Sequence, residues 1–94
     1  MSNASTIIEL IVNNHPGVMS HITGLFSRRG FNLDGILCGE IDDGTKSRMY
    51  LLVYKDDRLE QITKQLGKLY DVKEVYVRED CDHSVFRRLH EIMV

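Results

Sequence analysis

The 94-residue sequence lacks the features that mark several large classes of protein. It has no tryptophan, one proline and only two cysteines, Cys38 and Cys81, too few for a disulfide framework. Neither charge dominates, since 12 Lys and Arg face 14 Asp and Glu, so the basic face that nucleic-acid binding normally needs is missing. No apolar run is long enough to span a membrane, and Met1–Thr6 does not resemble a secretory signal. We therefore expect one small cytoplasmic domain without nucleic-acid or membrane partners.

Residue patterns that support catalysis or metal binding are also missing. The four histidines are never three or four positions apart, and neither cysteine belongs to a C-x-x-C pair, so we expect no metal site. No glycine-rich phosphate loop with a lysine is present. Cys38 falls within a predicted strand, where we interpret it as a small buried hydrophobe. The sequence thus offers no positive case for an enzyme or for a cofactor bound by this chain.

Hydrophobic periodicity predicts six elements in the order β-α-β-β-α-β. The predicted strands cover Ser5–Asn13, 31–41, 47–55 and Val72–Arg78, and the predicted helices cover 17–29 and 58–69. A parity change at Gly35 predicts a bulge, Asp42-Asp43-Gly44 predicts a hairpin turn, and Asp57 with Glu60 resembles a capping box. The order is typical of the α+β ferredoxin-like sandwich, in which both helices cover one face of a four-stranded antiparallel sheet.

Residues 81–94 are predicted to form a short amphipathic helical tail rather than an independent domain, which leaves 1–80 as the folded domain. Asp82 or Ser84 could cap its helix. The apolar positions of the tail, at helical spacing, are Val85, Phe86, Leu89, Ile92 and Met93.

The junction between the first strand and the first helix is the most informative candidate site. It comprises Asn14, His15, Pro16, Gly17, Val18 and Met19. A helix N-terminus presents unpaired N–H groups to a carboxylate, and Gly17, lacking a Cβ, would let that carboxylate come close. Asn14 could bind an ammonium or a carboxylate, and Asn32 could add a second polar contact. The alternative is purely structural: Asn14 caps the helix and Gly17 eases a turn.

The first and third strands are apolar on both faces, although a sheet with helices on one side should alternate. On the third strand, one set of side chains would face away from the helices and be exposed to solvent: either Tyr50, Leu52 and Tyr54 or the residues that alternate with them. An exposed apolar patch of this kind is typical of an interface. The alternative is that the 81–94 tail folds back over them.

The segment from Glu9 to Cys38, ELIVNNHPGVMSHITGLFSRRGFNLDGILC, resembles the ACT domain of the small regulatory subunit of acetohydroxyacid synthase (acetolactate synthase). The resemblance rests on three motifs: N-x-x-G before the helix, G-L-F-x-R-R within it and F-N at the start of the next strand. It continues to about residue 78. N-H-P-G-V-M and G-I-L-C resemble the short, valine-sensitive bacterial form. Longer members carry a second domain, for which we expect no room in 94 residues.

This resemblance implies a non-catalytic subunit that forms a homodimer with an eight-stranded sheet. It implies that valine or a related branched-chain amino acid binds at the dimer interface, contacted by Asn14, Asn32 and the amides that follow Gly17. It further implies a large catalytic subunit that holds thiamine diphosphate, Mg²⁺ and FAD, is activated by the small subunit and is then inhibited by valine.

The residues also bear on three other functions. A stand-alone amino-acid-sensing module that regulates some other protein is the main alternative. An acyl-phosphate hydrolase of similar topology would need an arginine in the first loop, whereas Arg28 and Arg29 lie at the far end of the helix. RNA binding through the sheet is disfavoured by the net charge of −2.

Overall fold

The computed structural model describes residues 5–79 and 83–93. The elements are β1 (Ser5–Asn13), α1 (Val18–Arg28), β2 (Leu33–Ile41), β3 (Lys46–Tyr54), α2 (Leu59–Gly67) and β4 (Val72–Arg78), followed by α3 (Ser84–Arg87) and α4 (Leu89–Met93). The predicted α+β order is confirmed, with helix ends that differ by one or two residues. The predicted domain boundary between residues 80 and 81 lies outside the described residues.

The four strands form one antiparallel sheet in the order β2-β3-β1-β4. β1 lies between β3 and β4, and its residues from Thr6 to Val12 are all buried, whereas β2 and β4 are edge strands with mostly exposed side chains. The central pair β1 and β3 is joined over nine residue pairs, from Ser5 opposite Tyr54 to Asn13 opposite Lys46. This pairing places the end of β1 beside the β2–β3 hairpin.

The core lies between one face of the sheet and the two long helices. α1 contributes Val18, Ile22, Leu25 and Phe26, and α2 contributes Ile62 and Leu66. The strands contribute Ile8, Leu10, Val12, Met49, Leu51, Val53 and Val72. Each such side chain stabilises the fold by roughly 1.5–3 kcal/mol relative to an exposed position. This apolar contact fixes α1, and with it the turn that precedes α1.

β2 begins at Leu33, two residues later than predicted, because Phe31 joins the core instead of the sheet. Gly30 adopts a φ of +77°, and the Phe31 N–H donates to Phe26 O at 2.9 Å. The Phe31 ring then packs edge-on against Phe26, and the Arg58 guanidinium lies 4.6 Å from its centroid. The chain therefore turns back on the helix before it can pair with β3.

The predicted irregularities of β2 and its hairpin are present. The register between β2 and β3 shifts between Leu33 and Gly35, so that Asp34 is the extra residue of a bulge. The hairpin loop is four residues long, 42–45, with positive φ at Asp42 and Gly44.

The predicted capping box at α2 is wrong. The residue that precedes the helix is Arg58, and no side chain caps it in the expected manner. Asp56, not Asp57, accepts the Arg58 N–H at 2.8 Å and also receives the Arg58 guanidinium. The hydrogen bonds that the Asp56 carboxylate accepts from Arg58 lower its pKa to about 2. The turn before α2 is therefore held by an adjacent acid–base pair.

The sheet face that the helices do not cover is partly closed by its own long side chains. Glu9, only 7% exposed, accepts Arg78 Nε at 2.9 Å and Arg48 Nε at 3.1 Å. Ile7 and Ile11, which flank Glu9 on this face, are 3% and 6% exposed. The expectation of bare side chains on β3 is therefore met only in part: Tyr54 is 63% exposed, while Tyr50 and Leu52 are half-buried.

The tail contacts this same face through α3. Phe86 packs so closely on Gly35 that a Cβ added there would overlap its ring. Tail folding onto the sheet is thus observed at β2, while Ile92 and Met93 in α4 stay exposed. The proposed Ser84 cap is wrong, because Ser84 is the first residue of α3 and the preceding residue is His83. The other proposed cap, Asp82, lies outside the described residues.

Candidate functional site

The turn between β1 and α1 is shaped by Gly17. This residue precedes the helix with a φ of +91°, a conformation that L side chains rarely adopt. A Cβ at Gly17 would meet no atom within 4 Å, so the space above the turn is open. Glycine is therefore required here by its backbone conformation.

The first amides of α1 differ in their hydrogen bonding. The Val18 N–H donates to His15 O over a long 3.4 Å, whereas those of Met19 and Ser20 find no acceptor within residues 5–79 and 83–93. A helix N-terminus with free N–H groups carries a partial positive charge and favours an anion. Ser20 was not among the predicted site residues, although a helix that begins at Val18 places it in the first turn.

Asn14 is attached to the β2–β3 hairpin and does not cap α1. Its side-chain Nδ2 donates to Gly44 O at 2.8 Å, and its backbone N–H donates to Thr45 O at 2.9 Å. Its side-chain Oδ1 has no hydrogen-bond donor among the described residues, which leaves an acceptor of the kind that an ammonium group needs. The helix cap that the structural alternative assigns to Asn14 is thus wrong, although Asn14 does make a structural contact with the hairpin, and the turn at Gly17 is present.

A recess of about 90 Å³ adjoins this turn. It is lined by Val12, Asn13, Asn14, His15, Val18, Met19, Cys38, Ser47 and Met49. Its apolar wall comes from the core, and its polar residues come from the turn and β3. The volume is well below the roughly 300 Å³ at which drug-sized ligand pockets begin, so the recess suits a small group.

Cys38 is exposed, so its interpretation as a buried hydrophobe is wrong. It shares the helix side of edge strand β2 with Ile36, which is 37% exposed. Met19 of α1 is 43% exposed and lines the recess with Cys38. A partly uncovered apolar surface therefore continues from the recess along the edge of the sheet.

Asn32 lies apart from the other predicted site residues in a single chain. It follows α1, whereas the turn containing Asn14 precedes it, and an 11-residue helix is about 16 Å long. Its side-chain Nδ2 donates to Asp34 Oδ1 at 2.9 Å. One chain therefore brings together Asn14, His15, Val18 and Met19 around the recess, with Pro16 and Gly17 in the turn, and leaves Asn32 at the opposite end of α1.

His15 gives the turn its distinctive electrostatics. Its Nε2 lies 2.7 Å from Asp71 Oδ1 and its Nδ1 lies 2.9 Å from Pro16 O. The hydrogen bond to Asp71, followed by that to Pro16, raises the pKa of His15 above its usual 6.5. Hydrogen bonds from Asn13 and His15 lower the pKa of Asp71. Both shifts favour the charged forms of the pair.

Within residues 5–79 and 83–93, no three His, Cys, Asp or Glu side chains lie together as metal ligands would. In the same part of the chain, no helix combines the length and apolarity that crossing a bilayer requires.

Comparison with known proteins gives consistent relatives. A family model described as the AHAS small subunit-like ACT domain matches residues 8–74. The acetolactate synthase isozyme 1 small subunit of Escherichia coli K12 is 51% identical over 85 residues, which cover 90% of this chain and 88% of that protein. The acetolactate synthase small subunit of Mycobacterium bovis is 42% identical over all of this chain and 56% of its own length.

A solved structure supports the same assignment. The acetolactate synthase small subunit from Thermotoga maritima superimposes with a TM-score of 0.69 and 40% identity. The match covers 78% of this chain and 46% of the other. From the extent of the sequence match and the shared architecture, we conclude that the chain belongs to the family of ACT domains of the acetohydroxyacid synthase small subunit.

Proposed function

We propose that this chain is a regulatory, non-catalytic subunit that binds the large catalytic subunit of acetohydroxyacid synthase, raises its activity and makes it sensitive to valine or a related branched-chain amino acid. The catalytic subunit would carry thiamine diphosphate, Mg²⁺ and FAD. The observation that carries the proposal is the β1–α1 turn, where free amides, a free amide oxygen and a small apolar recess lie side by side.

Each part of this turn matches one part of an α-amino acid. The Met19 and Ser20 N–H groups suit the carboxylate, with hydrogen bonds to a charged group contributing about 1.5–3 kcal/mol each. The Asn14 Oδ1 suits the ammonium group. The 90 Å³ recess suits a short branched side chain better than an aromatic one. Because one methylene changes binding by only about 1–3 kcal/mol, we expect some tolerance of leucine and isoleucine.

A second copy of the chain would complete the site. β2 is an edge strand that begins just after Asn32 and ends at the hairpin that holds Asn14. Antiparallel pairing of two β2 strands would bring the start of one next to the end of the other. Asn32 of one copy would then approach the Asn14 turn of its partner. The exposed Ile36 and Cys38 on the helix side of β2 would be covered in the same step.

Regulation then requires that the amino acid prefer one arrangement of the dimer over another. Such a difference in affinity typically corresponds to about 1–3 kcal/mol of coupling. An amino acid bound between two copies can have such a difference in affinity, because any change in the arrangement of the two copies changes the contacts of the bound ligand.

The test of the proposed ligand is calorimetric titration of L-valine into the wild-type chain and into Asn14→Ala. We expect saturable binding to the wild type and at least about tenfold weaker binding to the variant, because the ammonium loses its acceptor. Lys64→Gln, which removes an exposed charge from α2, should bind as the wild type does. Equal affinities for wild type and Asn14→Ala would contradict the proposed site.

The test of the proposed partner is reconstitution with a purified acetohydroxyacid synthase catalytic subunit. Adding the chain should raise acetolactate formation, and valine should then lower it. Activity that is unchanged by the chain would contradict the role of regulatory subunit and favour a stand-alone amino-acid-sensing module.

A further inference from the structure

Asp71, the residue before β4, is a second attachment point of the β1–α1 turn, besides the contact of Asn14 with the hairpin. Its backbone O accepts the Asn13 N–H at 2.8 Å, and its side-chain Oδ1 accepts Asn13 Nδ2 at 3.1 Å. The same Oδ1 receives His15 Nε2 at 2.7 Å. Asp71 belongs to neither α1 nor β1, yet it contacts residues on both sides of Asn14.

The His15 ring faces a hydrogen-bond acceptor at each of its nitrogens. Nε2 faces Asp71 Oδ1 and Nδ1 faces the carbonyl of Pro16. A neutral imidazole has one N–H and can donate to only one of them, whereas the imidazolium donates to both. Only the imidazolium can therefore make both hydrogen bonds at once, the one to Asp71 before β4 and the one to Pro16 in the turn.

Other titratable groups lie on the elements around this pair, and Lys46 of β3 stands opposite Asn13. From α1, His21 acts on Asp71 and lowers the pKa of its carboxyl further. On β2, Cys38 lines the recess beside His15. From the β2–β3 hairpin, Asp43 is engaged by Thr45, with its Oδ1 3.1 Å from the backbone N. Asp71 is thus the acid in contact with His15 among the described residues.

We propose that the bridge between His15 and Asp71 is a proton-dependent positioning device that holds the Asn14–Gly17 turn in the arrangement that receives the amino acid. The structural half of this proposal concerns the chain alone. The half that concerns ligand affinity rests on the proposed function.

The sign of the pH dependence follows from the pKa directions of the two partners. His15, whose pKa is raised, keeps both contacts below its ordinary value of 6.5 and loses one as pH rises through the raised pKa. Asp71, whose pKa is lowered from 3.8, keeps its charge until pH falls through that lower value. The bridge is complete between these limits, and valine should bind more tightly there than at higher pH.

The structural half is tested by an NMR titration of the full chain without ligand, following the four His rings and the backbone amides. We expect the pKa of His15 to lie above 6.5 and to fall in Asp71→Asn, which keeps the acceptor oxygen but removes its charge. The amide signals of Gly17 and Val18 should titrate with His15. A His15 pKa that is unchanged by Asp71→Asn, or amides that do not follow it, would overturn the bridge.

The affinity half is tested by valine calorimetry from about pH 6 to pH 9. Wild type should bind about fivefold more weakly at the upper end, and Asp71→Asn and His15→Gln should show a flat profile. His90→Gln, which removes an exposed histidine from α4, should keep the wild-type profile. A flat wild-type profile would overturn the coupling and leave the proposed function intact. Complete absence of valine binding would contradict the proposed function instead, while the ligand-free titration still decides the bridge.

Discussion

Single residues on the open sheet face show how a small domain can carry two-sided apolar strands. Glu9 is buried between Ile7 and Ile11, and both of its oxygens are occupied by arginines. Each arginine side chain is about 44% exposed, so its stem covers apolar surface while its charge still reaches water. A buried carboxylate is therefore part of how this face is closed.

Glu9→Gln should lower the free energy of unfolding by about 1–3 kcal/mol. The change keeps the shape of the side chain but removes the charge that holds both guanidinium groups, and solvent reduces the loss because the arginines are partly exposed. Urea unfolding measures it. Glu79→Gln, which removes the exposed partner of Lys55 at 3.5 Å, is the matched control and should change stability by less than about 0.5 kcal/mol. Equal effects of the two substitutions would contradict a structural role for Glu9.

At the scale of elements, the contact between α3 and β2 depends on the absence of a side chain at Gly35. This glycine lies at the β2 bulge on the open face, and the Phe86 ring occupies the position of a Cβ. Its φ is not positive, so alanine is acceptable to the backbone and only the packing is tested.

Gly35→Ala should release α3 from the sheet and cost about as much stability as Phe86→Ala. In the double variant the two costs should not add, because the alanine meets no ring once Phe86 is gone. A double-mutant cycle by urea unfolding, with hydrogen exchange of the α3 amides, measures this. Strictly additive costs, or exchange in α3 unaffected by either change, would contradict the contact.

The elements also show how far local sequence determines this fold. The apolar, β-branched run of Ser5–Asn13 and the in-phase valines of Val72–Arg78 predict both strands to the residue. β1 pairs with β3 over nine residue pairs, and with β4 through a register that shifts between Ile11 and Val12. The apolar character of Phe31 predicts that it belongs to β2, but the residue packs on Phe26 of the preceding helix and under Arg58, which comes from a distant part of the chain. The Asp57 capping box fails because the helix begins at Leu59, one residue later than the box requires, and because Asp56 accepts the Arg58 N–H. Cys38 is exposed because β2 is an edge strand, which depends on strand order.

The candidate site, too, could be predicted from the sequence only in part. Gly17 after Pro16 indicates the turn, and the helix that begins at Val18 indicates free amides. The attachment of Asn14 to Gly44, and of His15 to Asp71, could not be predicted from spacing. Both contacts join segments that are at least 30 positions apart and meet only once the sheet has formed.

At the scale of the whole molecule, the account depends on a site that two copies share. Asn14 lies before α1 and Asn32 after it, so a single chain does not bring them together. Symmetry then makes a strong prediction about mixed dimers, because a two-fold dimer has two equivalent sites, each built from both copies.

The most direct measurement is the amount of valine bound when Asn14→Ala and Asn32→Ala chains are equilibrated together. At a valine concentration near the wild-type Kd, each variant alone should bind far less valine than the wild type. In a mixed dimer one site receives both alanines and the other receives both asparagines, so mixing should restore about a quarter of the wild-type binding sites. No restored binding, in mixtures shown to contain the mixed dimer, would contradict a site shared between two copies.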